Sequence, residues 1–426
     1  MWCQAVRQAQ KEGIGLRYAK ELLKDPDFAL KNPNIKLKAI ETGRYQTFTN
    51  NLEGAAQSWQ RFVARKPGLR FLTPFVRTPY NIVTYAFERT PFARLQKKYK
   101  DAIEAGGPEA DIARARMYLG TSISMGVAML AADGMITGRG PSDPRERAVL
   151  METGWQPYSI KIGDTYYGYN RFEPVGILFG VSADLSEIGS YVGNNKNTVL
   201  EDAEIIGTML AMSITENITN KTFLTGISDL VEAISDPGRY APNAIRRILA
   251  SSIPTVAYYE RKDQDPYLRD VRSITDAFLN RLPGQSEKLA LKRNILGEPR
   301  KYSKGALGKF SPTRESKLNN DPVFNEFVNL GYAPSKPSRQ IGGVDLTTEQ
   351  YDELLSYQQN QFRLRDRLTN IINSPQYKAS NNYVKTELLD ALIKQSQAAA
   401  RNYLIARHPS LTMQRVENIR QEMMGN

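Results

Sequence analysis

Hydrophobic residues recur at helical spacing along most of this chain. Phe48, Leu52, Ala55 and Trp59 follow one another at intervals of three or four residues, which predicts an amphipathic helix over 47–64. The same pattern predicts helices in 5–66, from 81 to about 89, in 200–234 and 241–282, and from residue 347 to the end. Thr90-Pro91 starts a further helix after 89. The sequence therefore predicts a mainly α fold, a multi-helix assembly with extended arms.

Prolines and polar stretches divide this helical pattern into segments. The prolines of 71–79 push their preceding residues toward extended conformations, which indicates an irregular connector. The stretch 281–344 is polar, has recurring Gly and Pro and shows little periodicity, so it is interpreted as a linker or an arm draped over a neighbour. Thr347 and Gln350 form a capping box that starts the last helical segment. The predicted domains are 1–66, 67–280, 281–345 and 346–426.

A clear β signal lies near the middle of the chain, at residues 158–169. Apolar and polar residues alternate over 158–162 and again over 165–169, and Gly163-Asp164 separates the two runs. A two-residue loop that begins with Gly suits a hairpin turn, whose twist matches that of the strands. The sequence predicts one small β-hairpin here.

An uncharged run of sixteen residues covers 117–132. A membrane-spanning helix needs roughly 20 predominantly apolar residues, and this run is shorter and diluted by hydroxyl side chains. The length favours a buried core helix. A membrane-active segment, used together with the uncharged run 205–215 after a conformational change, is the alternative.

Composition removes several classes of chemistry. The 426 residues contain one His and one Cys, so Cys3 and His408 are the available pair where a Cys/His zinc site needs about four ligands. A Ser-His-Asp mechanism is disfavoured because His408 stands in an Arg-His-Pro break between helical segments. Gly138-Arg139-Gly140 precedes a Pro-rich turn, so it does not have the strand-loop-helix context of a phosphate-binding loop. We expect no metal, no cofactor and no catalytic residue.

One acidic residue still deserves mention as a candidate catalyst. Glu173 follows an aromatic hairpin that contains Tyr166, Tyr167, Tyr169 and Phe172, and aromatic side chains beside a carboxyl are found at sugar-cleaving sites. The alternative interpretation is a hairpin that packs its aromatic side chains on a helix, with Glu173 paired to Arg171 or Arg145 at the rim. The second interpretation is favoured because half-buried sheets commonly carry such residues.

The net charge of +12 points to an acidic partner, either nucleic acid or an anionic membrane surface. The charge is concentrated in three clusters, over 61–77, 97–100 and 288–317. The candidate phosphate-binding residues in them are Arg61, Arg65, Lys66, Arg70, Arg77, Lys97, Lys98, Lys100, Lys292, Arg293, Arg300, Lys301, Lys304 and Lys309. Cationic arms bind phosphate backbones without reading sequence. A solvated face, or an anchor to an acidic neighbouring subunit, remains the alternative for each cluster.

Several short motifs occur in a fixed order along the chain. They are Thr47-Phe48, PFVRTPYNI (74–82), ERTP (88–91), AADGMITG (131–138), GPSDP (140–144), GWQPYSI (154–160), Gly163-Asp164, KTFLTG (221–226) and NILGEP (294–299). From about residue 45 to 425 this pattern resembles the C-terminal region of the large internal virion proteins of tailed bacteriophages. The same region also occurs in polyvalent phage proteins.

The resemblance implies a structural virion protein of the internal core. Such proteins are packaged inside the capsid near the portal vertex and leave ahead of the genome, to form a DNA conduit across the host envelope. The implied partners are further copies of the chain, other internal virion or portal proteins, genomic DNA through non-specific backbone contacts, and the host envelope membrane during ejection. The resemblance carries no catalytic motif to this chain. The polar helical pattern that follows directly on Met1 suggests a segment of a longer polypeptide, and any transglycosylase activity would lie outside it.

Two alternatives stay open beside this interpretation. One is a membrane-active module that inserts 117–132, and the other is a peptidoglycan-cleaving enzyme centred on Glu173.

Overall fold

The computed structural model describes residues 33–65, 77–172, 174–193, 260–261, 264–302 and 313–413. Over these residues the protein is mainly helical, with one antiparallel sheet of three strands and one of two, which confirms the predicted fold class. The helices predicted before residue 33 and over 200–259 lie outside the described residues. Two compact units divide the described chain, and this division differs from the four segments predicted from the sequence.

The first unit comprises residues 33–126 and 174–179, within the described ranges. Its helices are α1 (Pro33–Gln46), α2 (Gly54–Ala64), α3 (Arg77–Phe87), a 3-10 turn (Pro91–Leu95), α4 (Lys97–Ala105) and α5 (Gly107–Ala132), of which α5 continues into the second unit. Helix α2 begins seven residues later than the pattern predicts. Phe48 has a positive φ of 55°, and the Asn81 side-chain amide donates to the carbonyl oxygens of Phe48 and Asn50, so these residues are held out of a helix.

Helices α3 and α5 approach each other closely at Gly120. A Cβ at this position would lie 2.1 Å from the carbonyl oxygen of Arg89, just beyond the end of α3. Ile82 and Ala86 of α3 are buried, and so are Ala110 and Met117 of α5. Only glycine allows this packing, because a methyl group would overlap the Arg89 backbone.

The second unit contains the predicted hairpin. Strands β1 (Ser159–Ile162) and β2 (Thr165–Gly168) pair antiparallel with Ile162 opposite Thr165, and Gly163 has a φ of 58° in the two-residue turn. The hairpin prediction is confirmed. Strand β3 (Glu315–Lys317) adds to the free edge of β2, giving the strand order β1-β2-β3.

Helices make up most of the rest of this unit. They are α6 (Pro144–Glu152), α7 (Val175–Gly193, shared with the first unit), α8 (Ile274–Leu279), α9 (Pro322–Asn329), α10 (Thr348–Asn360), α11 (Leu364–Asn373), α12 (Pro375–Ala379) and α13 (Asn382–Arg407); a 3-10 turn (Ser286–Lys288) and the strands β4 (Gln340–Ile341) and β5 (Val344–Asp345) complete it. The predicted capping box starts α10: the Thr347 hydroxyl accepts from the Gln350 amide, and the Gln350 side chain accepts from the Thr347 amide.

The stretch predicted as a polar arm, 281–345, instead packs into the core of its own unit over its described residues. Leu296, Phe324 and Phe327 are almost completely buried, among side chains of α11 and α13. Phe324 and Phe327 are spaced for one face of the short helix α9, which begins after its cap Asp321. The polar composition of the stretch, with its recurring Gly and Pro, masks this short helical pattern.

The uncharged run 117–132 forms the C-terminal half of α5, but it is not a fully buried core helix. Met117 and Val127 are buried, whereas Leu119, Met125 and Met129 are 64–69% exposed. Within the part of the chain that the structure describes, no helix is long and apolar enough to cross a membrane. The helix has a covered side and an open apolar side.

Candidate anion-binding surface

Ten of the fourteen cationic residues singled out from the sequence lie in the described part of the chain. The other four, Lys66, Arg70, Lys304 and Lys309, lie outside it. The ten divide by what their charged groups contact, and this division decides which of them can meet an external anion.

Two arginines of the third cluster are engaged inside the second unit. Arg293 is buried, and its guanidinium lies 2.6 Å from Asp352 and donates to the carbonyl oxygen of Gly297. Arg300 pairs with Glu152 at 3.0 Å. The positive charge of both arginines is therefore neutralised by acids of the same chain.

The two lysines of that cluster remain at the surface. Lys292 is exposed, and Lys301 places its ammonium 5.3 Å from the centre of the Tyr267 ring. The sequence groups these four cations because they are neighbours along the chain, whereas folding leaves only the lysines accessible.

The second cluster occupies helix α4 and the turn before it. Lys98 lies 2.9 Å from the buried carboxylate of Glu88, which also accepts from the Tyr45 hydroxyl at 2.6 Å and lies 3.5 Å from Arg116. Burial and the Glu88 charge raise the pKa of Tyr45 to about 12, so the phenol stays protonated and donates to the carboxylate. Glu88 is thus the centre of an internal polar network, and Lys98 is one of its ion-pair partners.

Lys97 and Lys100 are exposed on α4, and Arg94 is exposed in the turn before it. None of the three side chains makes a hydrogen bond or ion pair in the described part of the molecule. Arg94 was missed from the sequence because it stands alone between apolar neighbours, five residues after Arg89. The lone acids Asp101 and Glu104 follow on the same helix and reduce its net charge.

The first cluster is also open where the structure describes it. Arg61 and Arg65 are exposed at the end of α2, and Arg77 is exposed at the start of α3. By contrast, Arg89 is taken up internally: its guanidinium lies 3.2 Å from the centre of the Tyr85 ring and donates to the Tyr85 carbonyl oxygen at 2.7 Å. The exposed cations of the first unit that make no ion pair among the described residues lie on α2, α3, α4 and the turn before α4, together with Lys36 and Arg44 on α1.

The charge of the whole chain follows the same division. Residues 33–126 contain 15 Lys and Arg against 7 Asp and Glu, so this stretch holds +8 of the net +12. The excess lies in the first unit, where the cations without internal partners are found.

The glycine cluster at 138–140 already binds an anion of its own chain. The amides of Gly138 and Gly140 donate to the two carboxylate oxygens of Glu187 at 2.7 and 2.9 Å, and the Arg139 amide donates to Asp184 at 2.7 Å. Burial raises the pKa of Glu187, while the two amides oppose that shift. This loop binds two carboxylates of α7. A glycine-rich sequence that resembles a phosphate-binding loop therefore serves the fold here.

The aromatic hairpin is part of the core rather than an open platform. Tyr166 and Tyr169 are buried, and the Tyr169 hydroxyl donates to the carbonyl oxygen of Thr137 at 2.7 Å. Glu173 lies outside the described residues. Buried Tyr166 and Tyr169 are consequently not placed to stack on a sugar, whereas Tyr167 is half-buried and Phe172 is 47% exposed.

The single histidine lies at the end of α13. His408 Nε2 is 2.8 Å from Glu353, which also pairs with Arg407 at 2.9 Å. Among the described residues, no group of three or more His, Cys, Asp or Glu side chains could hold a metal ion.

Three comparisons with known proteins complete this picture. No protein-family model, no curated protein and no solved structure matches the chain.

Proposed function

We propose that this chain is a structural protein of a bacteriophage virion interior that leaves with the genome and contacts DNA along its exit path. The DNA contacts are non-specific and are made by the first unit. The observation that carries this proposal is the placement of the exposed, unpaired cations Arg61, Arg65, Arg77, Arg94, Lys97 and Lys100 in that unit. The ordered motifs that resemble internal virion proteins supply the biological setting.

The chemistry of these side chains fits a phosphate backbone. Exposed Lys and Arg release counterions from DNA when they contact its phosphates, so binding weakens as salt rises. The six cations come from three helices and a turn. A protein of this kind holds DNA while letting it slide, which suits a path through which a whole genome must pass.

Salt-dependent DNA binding tests this proposal. We compare the full chain with the variants Arg61→Gln/Arg65→Gln and Lys97→Gln/Lys100→Gln, and measure affinity for a double-stranded oligonucleotide by fluorescence anisotropy at several salt concentrations. Each lost phosphate contact lowers the slope of log affinity against log salt by about 0.9, so each double variant loses up to about 2.

The matched control removes two exposed lysines from the second unit. Lys292→Gln/Lys301→Gln changes the net charge by the same amount, and we expect its salt slope to equal that of the wild type. If this control weakens binding as much as the first-unit variants, the interface is not the one described. Absence of binding at low salt overturns the DNA contact and leaves an acidic protein neighbour as the partner of these cations.

A further inference from the structure

Helix α5 presents an apolar surface that the rest of the described chain does not cover. No charged residue occurs between 117 and 132, so this half of the helix is uncharged on every side. A helix that is apolar all round belongs in an interior. Here one side is buried through Met117 and Val127, while the opposite side is open.

The open side is large enough to be an interface. It carries the exposed side chains of Tyr118, Leu119, Ile123, Met125, Met129 and Leu130. Together they expose on the order of 700 Å², close to the roughly 800 Å² that each partner contributes to a standard protein interface. Monomeric proteins rarely leave so large an apolar patch open without a function for it.

The middle of this face has a size pattern that is the same in both directions. Leu119, Ser122, Gly126 and Met129 follow one another at intervals of three or four residues, so they form one line along the helix. Along this line the side chains are large at Leu119, small at Ser122 and Gly126, and large again at Met129. A Cβ on Gly126 would meet nothing within 4 Å, which leaves a shallow depression between two bulky ends.

We infer that this face of α5 pairs with the same face of a second copy of the chain, in an antiparallel, two-fold arrangement. In that pairing Leu119 of each copy packs against Met129 of the other, and the small residues allow the helices to approach closely in between. A two-fold interface requires a self-complementary surface, and the size pattern supplies one.

The charges at the two ends of the face agree with this direction. Arg114 lies before the uncharged run, where it is also 3.5 Å from Asp111 of the same helix, and Asp133 follows the run; the side chains of Arg114 and Asp133 are exposed. An antiparallel pair centred between Ser122 and Gly126 brings Arg114 of one copy level with Asp133 of the other, whereas a parallel pair would bring like charges together. A lipid surface would require neither the depression nor the opposite charges at the two ends.

The inference identifies the surface for the self-association that the proposed function includes, and Gly126→Leu tests it. The leucine enters the depression, where its Cβ meets nothing within 4 Å, so it blocks close approach of the two helices. Circular dichroism of the variant checks that the fold is kept. Sedimentation equilibrium of the full chain measures the result. Standard-size interfaces have dissociation constants of about µM or below, so we expect a wild-type dimer and an increase of at least about tenfold for the variant.

Gly43→Leu is the matched control. Gly43 lies within α1, and a Cβ there also meets nothing within 4 Å, so the same substitution is made on a helix outside the proposed interface. Its dissociation constant should equal that of the wild type. Unchanged association of Gly126→Leu, or a wild-type monomer at about 50 µM, overturns the inference.

Disulfide cross-linking tests the direction of pairing. In a Cys3→Ser background, chains with Leu119→Cys are mixed with chains with Met129→Cys, and the mixture should form more cross-linked dimer than either variant alone. Preferential Leu119→Cys self-linking contradicts the antiparallel arrangement. A wild-type monomer that binds phosphatidylglycerol vesicles, with equal or tighter binding in Gly126→Leu because leucine adds apolar surface, assigns the face to lipid instead. If the wild type is a monomer that still binds DNA through its first unit, the proposed interface is overturned and the proposed function is not.

Discussion

Arg365 links two parts of the second unit through two carboxylates. Its guanidinium pairs with Glu298, in the turn that follows Arg293, and with Asp321, which caps α9. Asn294 donates to the same Glu298 carboxylate at 2.9 Å. Burial alone would raise the pKa of Glu298, but these hydrogen bonds and the Arg365 charge hold that pKa below its ordinary value.

Replacement of Glu298 by Gln should therefore destabilise the protein in a pH-dependent way. Because the pKa of Glu298 is lowered in the folded state, its contribution is present above the ordinary value of about 4.5 and is lost as the pH falls through the folded-state pKa. At pH 7 we expect Glu298→Gln to lose about 1–2 kcal/mol of unfolding free energy, since the pair is partly solvated. Urea unfolding at neutral and acidic pH measures this difference, which should shrink as the pH falls through the folded-state pKa of Glu298.

Glu387→Gln is the control for this measurement, because Glu387 is exposed and forms no ion pair in the described structure. A loss for Glu298→Gln that stays constant down to acidic pH would show that the carboxylate charge is not what stabilises the turn.

At the level of elements, the path of α5 depends on one glycine. Gly120 lets the helix contact the backbone of Arg89, and the same region holds the Glu88 network through Arg116. Two features that are far apart in sequence, the end of α3 and the middle of α5, thus share one contact.

Gly120→Ala should disrupt this contact although alanine favours helices. The new Cβ would lie 2.1 Å from a carbonyl oxygen and 2.3 Å from the Arg89 Cβ, so backbone must move. Overpacking of this kind costs about 1–3 kcal/mol. A cost near the upper end of that range exceeds the gain of about 1 kcal/mol in helix propensity. Thermal unfolding should show a lower midpoint for Gly120→Ala and an equal or higher midpoint for Gly43→Ala. A higher midpoint in both variants would contradict the close approach.

Local patterns predicted local elements well. The alternation around Gly163 and the capping box at Thr347 each depend on residues within a few positions, and the structure confirms both. The candidate anion-binding residues were harder to predict, as Arg293 shows. Its partner Asp352 is 59 residues away, so the sequence does not reveal the ion pair. Proximity along the chain groups Arg293 with Lys292, although only the lysine is exposed. The spacing of Phe324 and Phe327 likewise predicts one helical face but not the later helices that bury it.

At the scale of the whole molecule, the two units differ in their charge. The first unit is strongly basic and has exposed cations, while the second neutralises much of its charge internally. In an ejection protein, such a division would let one unit face DNA while the other provides a folded frame.

Cryo-electron microscopy of virions containing this chain should locate it. We expect density for several copies around the portal vertex inside the capsid, absent from particles that lack the chain. Density restricted to the outer capsid surface or the tail fibres would contradict the proposed role.

The third strand of the sheet β1-β2-β3 sets when that sheet can be completed during synthesis. Thr165 of β2 pairs with Lys317 of β3, about 150 residues later, so the sheet joins early and late parts of the chain. At roughly 5–20 residues per second, a ribosome needs about 8–30 seconds to make the intervening chain. During that interval the edge of β2 is open to other strands, and closing so long a loop slows native pairing further. A chaperone that shields the nascent hairpin would therefore raise the yield of folded protein.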